Sequence, residues 1–165
     1  MPRLVVVLPL QPLKVGESFA VEEWPLHVTV LPPFLTEAEP GEIVAAIAAA
    51  TSDRGALTVV AGHDEMFGRR EDVPVTVVVE NAELTRLHRT LVDAVRPLAT
   101  APDEPAFTGP GFRAHVTVKR QARVREGEVL RLAQIALVDM APRSAAGRTV
   151  LATLDLHEQP SETRA

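Results

Sequence analysis

At 165 residues, 46% hydrophobic and 24% charged, the chain is long enough to bury a core and has the make-up of an ordinary soluble domain. It contains no cysteine, which excludes disulfides, thiol nucleophiles and thiolate metal sites together. A formal net charge of −5 and the absence of tyrosine argue against a protein that coats long nucleic acids or stacks a run of bases, and leave room for a small nucleotide or an RNA end held in a local positive pocket.

The longest apolar stretch, Leu4 to Leu10, is far short of the roughly 20 residues that span a bilayer. It runs into Pro9 and Pro12 without a small-residue cleavage pattern, so no signal peptide is read. The default expectation is a cytoplasmic monomer, with no membrane association and no inferable protein partner.

Arg3 to Leu8 is β-branched and apolar and reads as a buried strand closed by the two prolines. Lys14 to Trp24 is a polar connection with room for a short helix. Pro25 biases Trp24 toward extended backbone and leads into Leu26-His27-Val28-Thr29-Val30, which Leu31-Pro32-Pro33-Phe34 ends in a rigid turn. Thr36 to Pro40 signals a helix start, and Ile43, Ala46, Ile47 and Ala50 fall on one helical stripe. Gly55 ends that helix, and Ala56 to Ala61 returns to strand.

Gly62 to Asp72 reads as a polar loop, and Val73 to Glu80 as a strand. Asn81 is a helix N-cap followed by Leu84, Leu87, Leu91, Val95 and Leu98 at three- and four-residue steps. Thr100 to Gly111 is a Pro- and Gly-rich loop before Ala114-His115-Val116-Thr117-Val118. Arg123 to Leu132 is charged, with room for a helical turn. Ile135 to Met140 and Val150 to Leu156 form a predicted hairpin around a turn-rich segment. The order of elements predicts one α+β domain over 1–165, with two lobes related by an approximate duplication.

The two near-identical strands carry the functional signal. Alternation along a strand sets His27 beside Thr29, and His115 beside Thr117, with the valines on the opposite face. A lone histidine on a half-buried strand is usually structural; the same word twice, in strand context each time, is not expected by chance. Histidine titrates near neutrality, so a pair can accept one proton and donate another, while hydroxyls about 7 Å along the same face can donate to phosphate oxygens.

Other candidates follow from position. Arg113 and Lys119 share the face of His115 and Thr117, whereas Arg120 points away, and with Arg123 and Arg125 they form a local basic cluster. Arg69 and Arg70 read as surface. Among the aromatic residues, Trp24 and Phe112 are the preferred candidates for contact with a nucleobase, ahead of Phe34 and Phe67. His63, His88 and His157 read as structural or surface residues, with His88 on the polar side of its helix.

The paired motif resembles the HxTx signatures of the two-histidine (2H) phosphoesterase superfamily, and its flanks resemble the bacterial 2′,5′ RNA ligase and cyclic phosphodiesterase branch. Those flanks are Pro32-Pro33-Phe34, Met66-Phe67-Gly68, Phe112-Arg113-Ala114 and Lys119-Arg120. Leu26 and Ala114 stand where that family often has proline, a departure that leaves the chemical residues in place. The resemblance covers about Arg3 to Leu156. It implies antiparallel sheets lining a central groove with helices packed outside, and metal- and cofactor-independent action on 2′,3′-cyclic or 2′,5′-linked phosphates of RNA or nucleotides. It also implies His27 and His115 as catalytic residues with Thr29 and Thr117 as phosphate ligands. A non-catalytic module that binds nucleotide ends is the alternative. A metal hydrolase is the weaker third reading, because no carboxylate accompanies either histidine at ligand spacing.

Overall fold

A computed structural model describes residues 2–68, 70–100, 112–140 and 147–156. In chain order the elements are β1 (Arg3–Pro9), β2 (Ser18–Phe19), β3 (His27–Leu35), α1 (Pro40–Thr51), β4 (Leu57–Phe67), β5 (Val73–Val78), α2 (Ala82–Val95), β6 (His115–Thr117), β7 (Val129–Leu132), β8 (Gln134–Asp139) and β9 (Arg148–Asp155). The strands join in one sheet of order β2-β9-β8-β1-β3-β6-β5-β4-β7, with every pair antiparallel. The two motif strands, β3 and β6, are neighbours near its middle, so one half of the sheet is built outward from each.

Both helices cover one face. Val28 and Val30 of β3 and Val116 of β6 point into a core with Ile43 and Ile47 of α1 and Leu84, Leu87, Leu91 and Val95 of α2. Each fully buried side chain of this kind contributes about 1.5–3 kcal/mol. From Leu4 to Leu8 strand β1 is apolar because it is buried on both sides: Leu4, Val6 and Leu8 join this core, while Val5 and Val7 join a smaller cluster with Leu13, Trp24, Ala136, Val138 and Val150 on the other face. That second cluster does not extend past β3, and the polar face of the motif strands is left open beside it. Among the described residues no helix is long and apolar enough to cross a membrane.

Several boundaries differ from the sequence reading. Strand β4 runs on through His63, Asp64 and Glu65 to Phe67, where a loop was expected, because β5 supplies backbone partners along that length and the polar side chains find partners on the sheet faces. The chain then turns back to Val73 through Gly68, at φ +94°, a conformation open to glycine. The charged segment expected to hold a helical turn instead ends in edge strand β7, whose alternation buries Leu130 and Leu132 and exposes Val129 and Arg131. Lys14 to Trp24 holds only the two residues of β2 and a 3₁₀ turn at Val21–Glu23. The predicted C-terminal hairpin is present as β8 and β9; the loops expected at 101–111 and 141–146, and His157, lie outside the described residues.

His88 is fully buried rather than on the polar face of α2. It lies four residues after Leu84 and three before Leu91, within the apolar stripe, and its Nδ1 donates to the carbonyl of Val30 at 2.8 Å. Asn81 caps α2 as expected, with its Oδ1 accepting from the backbone N–H of Leu84 at 3.0 Å and its Nδ2 donating to the Thr58 carbonyl at 3.2 Å. Replacing Asn81 with Ala is expected to cost about 1 kcal/mol and to lower Tm by roughly 2–4 °C, read by thermal denaturation.

Candidate active site

The site is assembled by one backbone register. Val28 of β3 pairs with Val116 of β6 in antiparallel sense, so the residues flanking each valine are set against one another: His27 opposite Thr117, and Thr29 opposite His115. All four side chains project from the face away from the helices. On the outer sides β1 places Val7 beside Thr29 and Pro9 beside His27, and β5 places Val75 beside Thr117 and Val77 beside His115. The result is a lengthened square with the histidines on one diagonal and the threonines on the other, its sides about 4.5–5.5 Å between strands and about 7 Å along them, and its diagonals about 8 Å. The two copies thus stand side by side on one sheet, and convergence comes from pairing rather than from lobes meeting across a gap.

Both imidazoles are oriented in the same way. His27 Nδ1 donates to the carbonyl of Pro25, and His115 Nδ1 donates to the carbonyl of Arg113, each at 2.8 Å and each to the residue two before it. Carbonyls cannot donate, so Nδ1 carries the proton in each neutral ring and Nε2 is left with its lone pair. Burial pushes both pKa values down. His27 falls to about 4, with Lys119, His115 and Arg148 adding like charge. His115 is lowered in the same direction, mainly by burial and then by Arg113. Each ring also rests on an aromatic neighbour: Trp24 lies 3.9 Å from His27, centroid to centroid, and Phe67 meets His115 edge-on at 4.7 Å.

Beside the square is a cavity of about 540 Å³ lined by Thr29, Pro32, Pro33, Phe67, Phe112, Arg113 and His115. Thr29 and Thr117 are both partly exposed on this face. Arg113 stands at the rim, its two terminal nitrogens donating to the carboxylate of Glu65 at 3.1 and 2.8 Å and its guanidinium 5.1 Å from the Phe67 centroid. Glu65 is held down to about 2 by Arg113 and by His63, whose ring nitrogen lies 2.7 Å from it. Phe112 lines the cavity and stacks on His88 at 3.9 Å with the rings nearly parallel.

The basic cluster anticipated after the second motif is dispersed by the sheet. Lys119 is carried by the antiparallel register to the side of His27, where its Nζ donates to the Val21 carbonyl at 3.0 Å. Arg123 turns to the opposite side, onto Asp64 at 2.6 Å and Thr76 at 3.3 Å. Arg120 lines a separate cavity of about 520 Å³ with Glu22, Glu23, Trp24 and Lys119. Arg70 is exposed, Arg69 is outside the described residues, and Phe34 belongs to the core. Trp24 is buried against His27 with the Arg148 guanidinium 5.3 Å from its ring centroid.

Sequence reading did not single out Glu65 or Arg148. Glu65 is foreshadowed only by its position two residues before Phe67; Arg148 has no local signal, since β9 brings it back from far along the chain. Among the described residues, no three His, Cys, Asp or Glu side chains converge as a metal site would require.

The fold is similar to several solved structures. TT0787 of Thermus thermophilus is 19% identical, with a TM-score of 0.61 over 95% of this chain and 99% of that one. E. coli LigT complexed with 3′-AMP is 19% identical, with a TM-score of 0.58 over 94% and 99%. E. coli LigT complexed with NADP+ is 17% identical, with a TM-score of 0.59 over 95% and 98%. A comparison with curated protein sequences finds no match. A family model described as the 2′-5′ RNA ligase superfamily matches residues 5–141, a span that includes both motif strands and the whole of the square. On that match, and with the fold it shares, the chain belongs to the 2′-5′ RNA ligase superfamily of two-histidine phosphoesterases.

Proposed function

We propose that the chain is a metal-independent phosphoesterase acting on nucleotide or RNA ends. The favoured reaction is hydrolysis of a 2′,3′-cyclic phosphodiester to a 2′-phosphate, with reversible 2′,5′ ligation as the related chemistry. His27 and His115 serve as general acid and base, and Thr29 and Thr117 hold the phosphate. The observation that carries this reading is the square: a phosphate centred on it has a hydroxyl on one diagonal pair and an imidazole on the other, as an in-line displacement needs.

In hydrolysis, Nε2 of one neutral imidazole takes a proton from water as the water oxygen bonds to phosphorus. The bond from phosphorus to the 3′ oxygen breaks, and the other imidazole, protonated, returns a proton to that oxygen. Ligation replaces water by a 5′ hydroxyl, and the histidines exchange roles with the direction of reaction. Burial keeps both rings neutral in the free protein at neutral pH. A bound phosphate anion supplies the opposite charge that favours protonation of one of them. Hydrogen bonds to a charged group contribute on the order of 1.5–3 kcal/mol, enough for two threonines to orient the phosphate without a cation. LigT complexes with 3′-AMP and NADP+ support nucleotide phosphates as the ligand class. Two desolvated imidazoles are costly to maintain and serve no purpose in a module that only binds, which favours the enzyme over the binding reading.

Replacing His27 or His115 with Ala is expected to lower turnover by roughly 10²–10⁴-fold with the far-UV circular dichroism spectrum unchanged. The assay is a panel of 2′,3′-cyclic nucleotides and 2′,5′- and 3′,5′-linked dinucleotides, with the position of the product phosphate identified. Near-normal turnover in either variant would sink the mechanism. Incubation with EDTA is expected to leave activity intact; loss reversed by zinc or manganese would move the assignment to a metal hydrolase.

Stability carries a pH signature of the same site. The unfolded chain protonates His27 near 6.5, but the folded chain does so only near 4. Between those values the unfolded state binds more protons, so stability falls as pH is lowered through the window, by about 3 kcal/mol in full. The expected result is that urea denaturation between pH 7 and 4.5 shows a larger loss for wild type than for His27→Gln, which removes this contribution alone.

A further inference from the structure

Each motif histidine is backed by an aromatic ring, and each of those rings is backed by an arginine. On the first strand the order is His27, Trp24, Arg148; on the second it is His115, Phe67, Arg113. The columns differ in how they are held. Arg113 is fixed from outside by the two bonds to Glu65, and Phe67 touches its histidine only by an edge. Trp24 lies against His27 with ring centroids 3.9 Å apart and ring planes tilted by 32°.

Among the described residues no hydrogen bond holds the Trp24 side chain: its Nε1 is buried without a partner, and so is the Nε of Arg148. What fixes the indole is shape: the small apolar cluster of Val5, Val7, Leu13, Ala136, Val138 and Val150 on one side, and the guanidinium on its face. Arg148 in turn donates to the Gly147 carbonyl at 3.1 Å and, among the described residues, has no carboxylate in ion-pair reach. Pro25, whose carbonyl orients the His27 ring, directly follows Trp24 and restricts its backbone to the extended form observed, with ψ 123°. One dipeptide therefore sets both restraints on the imidazole, the hydrogen bond to Nδ1 and the plane against which the ring lies.

We propose that Trp24, clamped by Arg148, is a positioning residue for His27: it fixes the plane of the imidazole and keeps water off the ring face turned from the phosphate. The charged groups around this ring come from three elements. Arg148 reaches it from β9, and His115 and Lys119 from β6 and the residues after it, with Glu22 of the 3₁₀ turn facing Lys119. Burial outweighs all of them in keeping the ring neutral, and the Trp24 indole, 3.9 Å away centroid to centroid, is part of what buries it. The clamp's effect on turnover rests on the acid/base role proposed for His27; its effect on the imidazole itself does not.

Trp24 is the chain's single tryptophan, so its fluorescence reports on this contact alone. Protonated imidazole quenches a stacked indole, and wild-type emission is expected to fall on acidification with a midpoint near 4, a transition lost in His27→Gln. Circular dichroism at each pH separates it from unfolding. By NMR of the imidazole Cε1 proton, Trp24→Leu is expected to raise the His27 midpoint by about one unit or more, whereas Trp24→Phe, which keeps an aromatic face, holds it near the wild-type value. In turnover, Trp24→Leu is expected to lower kcat roughly 10- to 100-fold with KM little changed, and Trp24→Phe to recover most of it. Emission indifferent to His27→Gln, or a Trp24→Leu protein with the His27 midpoint and kcat of wild type, overturns the proposal. Should Trp24→Leu fail to fold, Arg148→Lys decides, because it keeps the charge that acts on His27 and removes the planar guanidinium over the indole: a raised His27 midpoint supports the clamp, and an unshifted one overturns it. A wild-type protein that shows the fluorescence transition yet turns over no phosphodiester would refute the functional reading and leave the clamp standing.

Discussion

The groove exists because Val28 and Val116 share one rung of the sheet. Burial alone does not fix that rung. A slip by one residue would turn the histidines into the core and is strongly opposed, but a slip by two keeps every side chain on its proper face and sets His27 directly against His115. The observed arrangement is thus one of several that satisfy hydrophobic patterning. What selects it is the neighbourhood: β6 is three residues long and takes its place from three pairs with β5, extended by the bonds from Val78 N–H to the Ala114 carbonyl and from Val118 N–H to the Pro74 carbonyl. Strand β3 is held independently by β1 along nearly its whole length. Each half carries its own motif to the seam, and Val116 docking into the common core sets the final alignment.

That seam has opposite physical demands on its two faces. Behind it, valines pack against both helices and nothing polar is needed. In front, two imidazoles are half or fully desolvated beside Lys119 and Arg148, so the site concentrates positive charge where little water reaches it. Such an arrangement is poor for stability and well suited to an anionic ligand, whose charge offsets the desolvation already incurred in folding. The carbonyls of Pro25 and Arg113 fix which nitrogen each ring presents, a detail that no hydrophobic consideration would set.

These two levels were unequally legible in the sequence. The strands, the capped helix at Asn81 and the four motif residues follow from alternation, helical spacing and repetition, all of which are local. Where local rules failed, tertiary partners had overridden them: the polar end of β4 is strand because β5 pairs with it, and His88 is buried because the stripe around it is apolar. The side-chain partners of the site were the least visible. Lys119 next to His27, Glu65 on Arg113 and Arg148 over Trp24 each depend on strand order, and a sheet whose first and last elements interleave cannot be ordered from spacing along one chain. The sequence pattern also grouped the basic residues after the second motif as one patch, whereas the turn after β6, closed by the bond from the Lys119 N–H to the Ala122 carbonyl, sends Lys119 and Arg123 to different sides of the sheet.

Duplication by itself would give two equivalent imidazoles. The chain keeps the symmetry in the motif, in the carbonyl two residues before each histidine, and in the aromatic and arginine behind each ring. It breaks the symmetry in charge and solvent. Arg113 is neutralised by Glu65 and stands in water, whereas Arg148 is half-buried with no carboxylate among the described residues to pair with it. His27 is closed over by an indole, whereas His115 meets only the edge of Phe67 and is open to the cavity. The square thus holds two imidazoles of the same geometry and unequal environment, an inequality that its four motif residues alone would not produce.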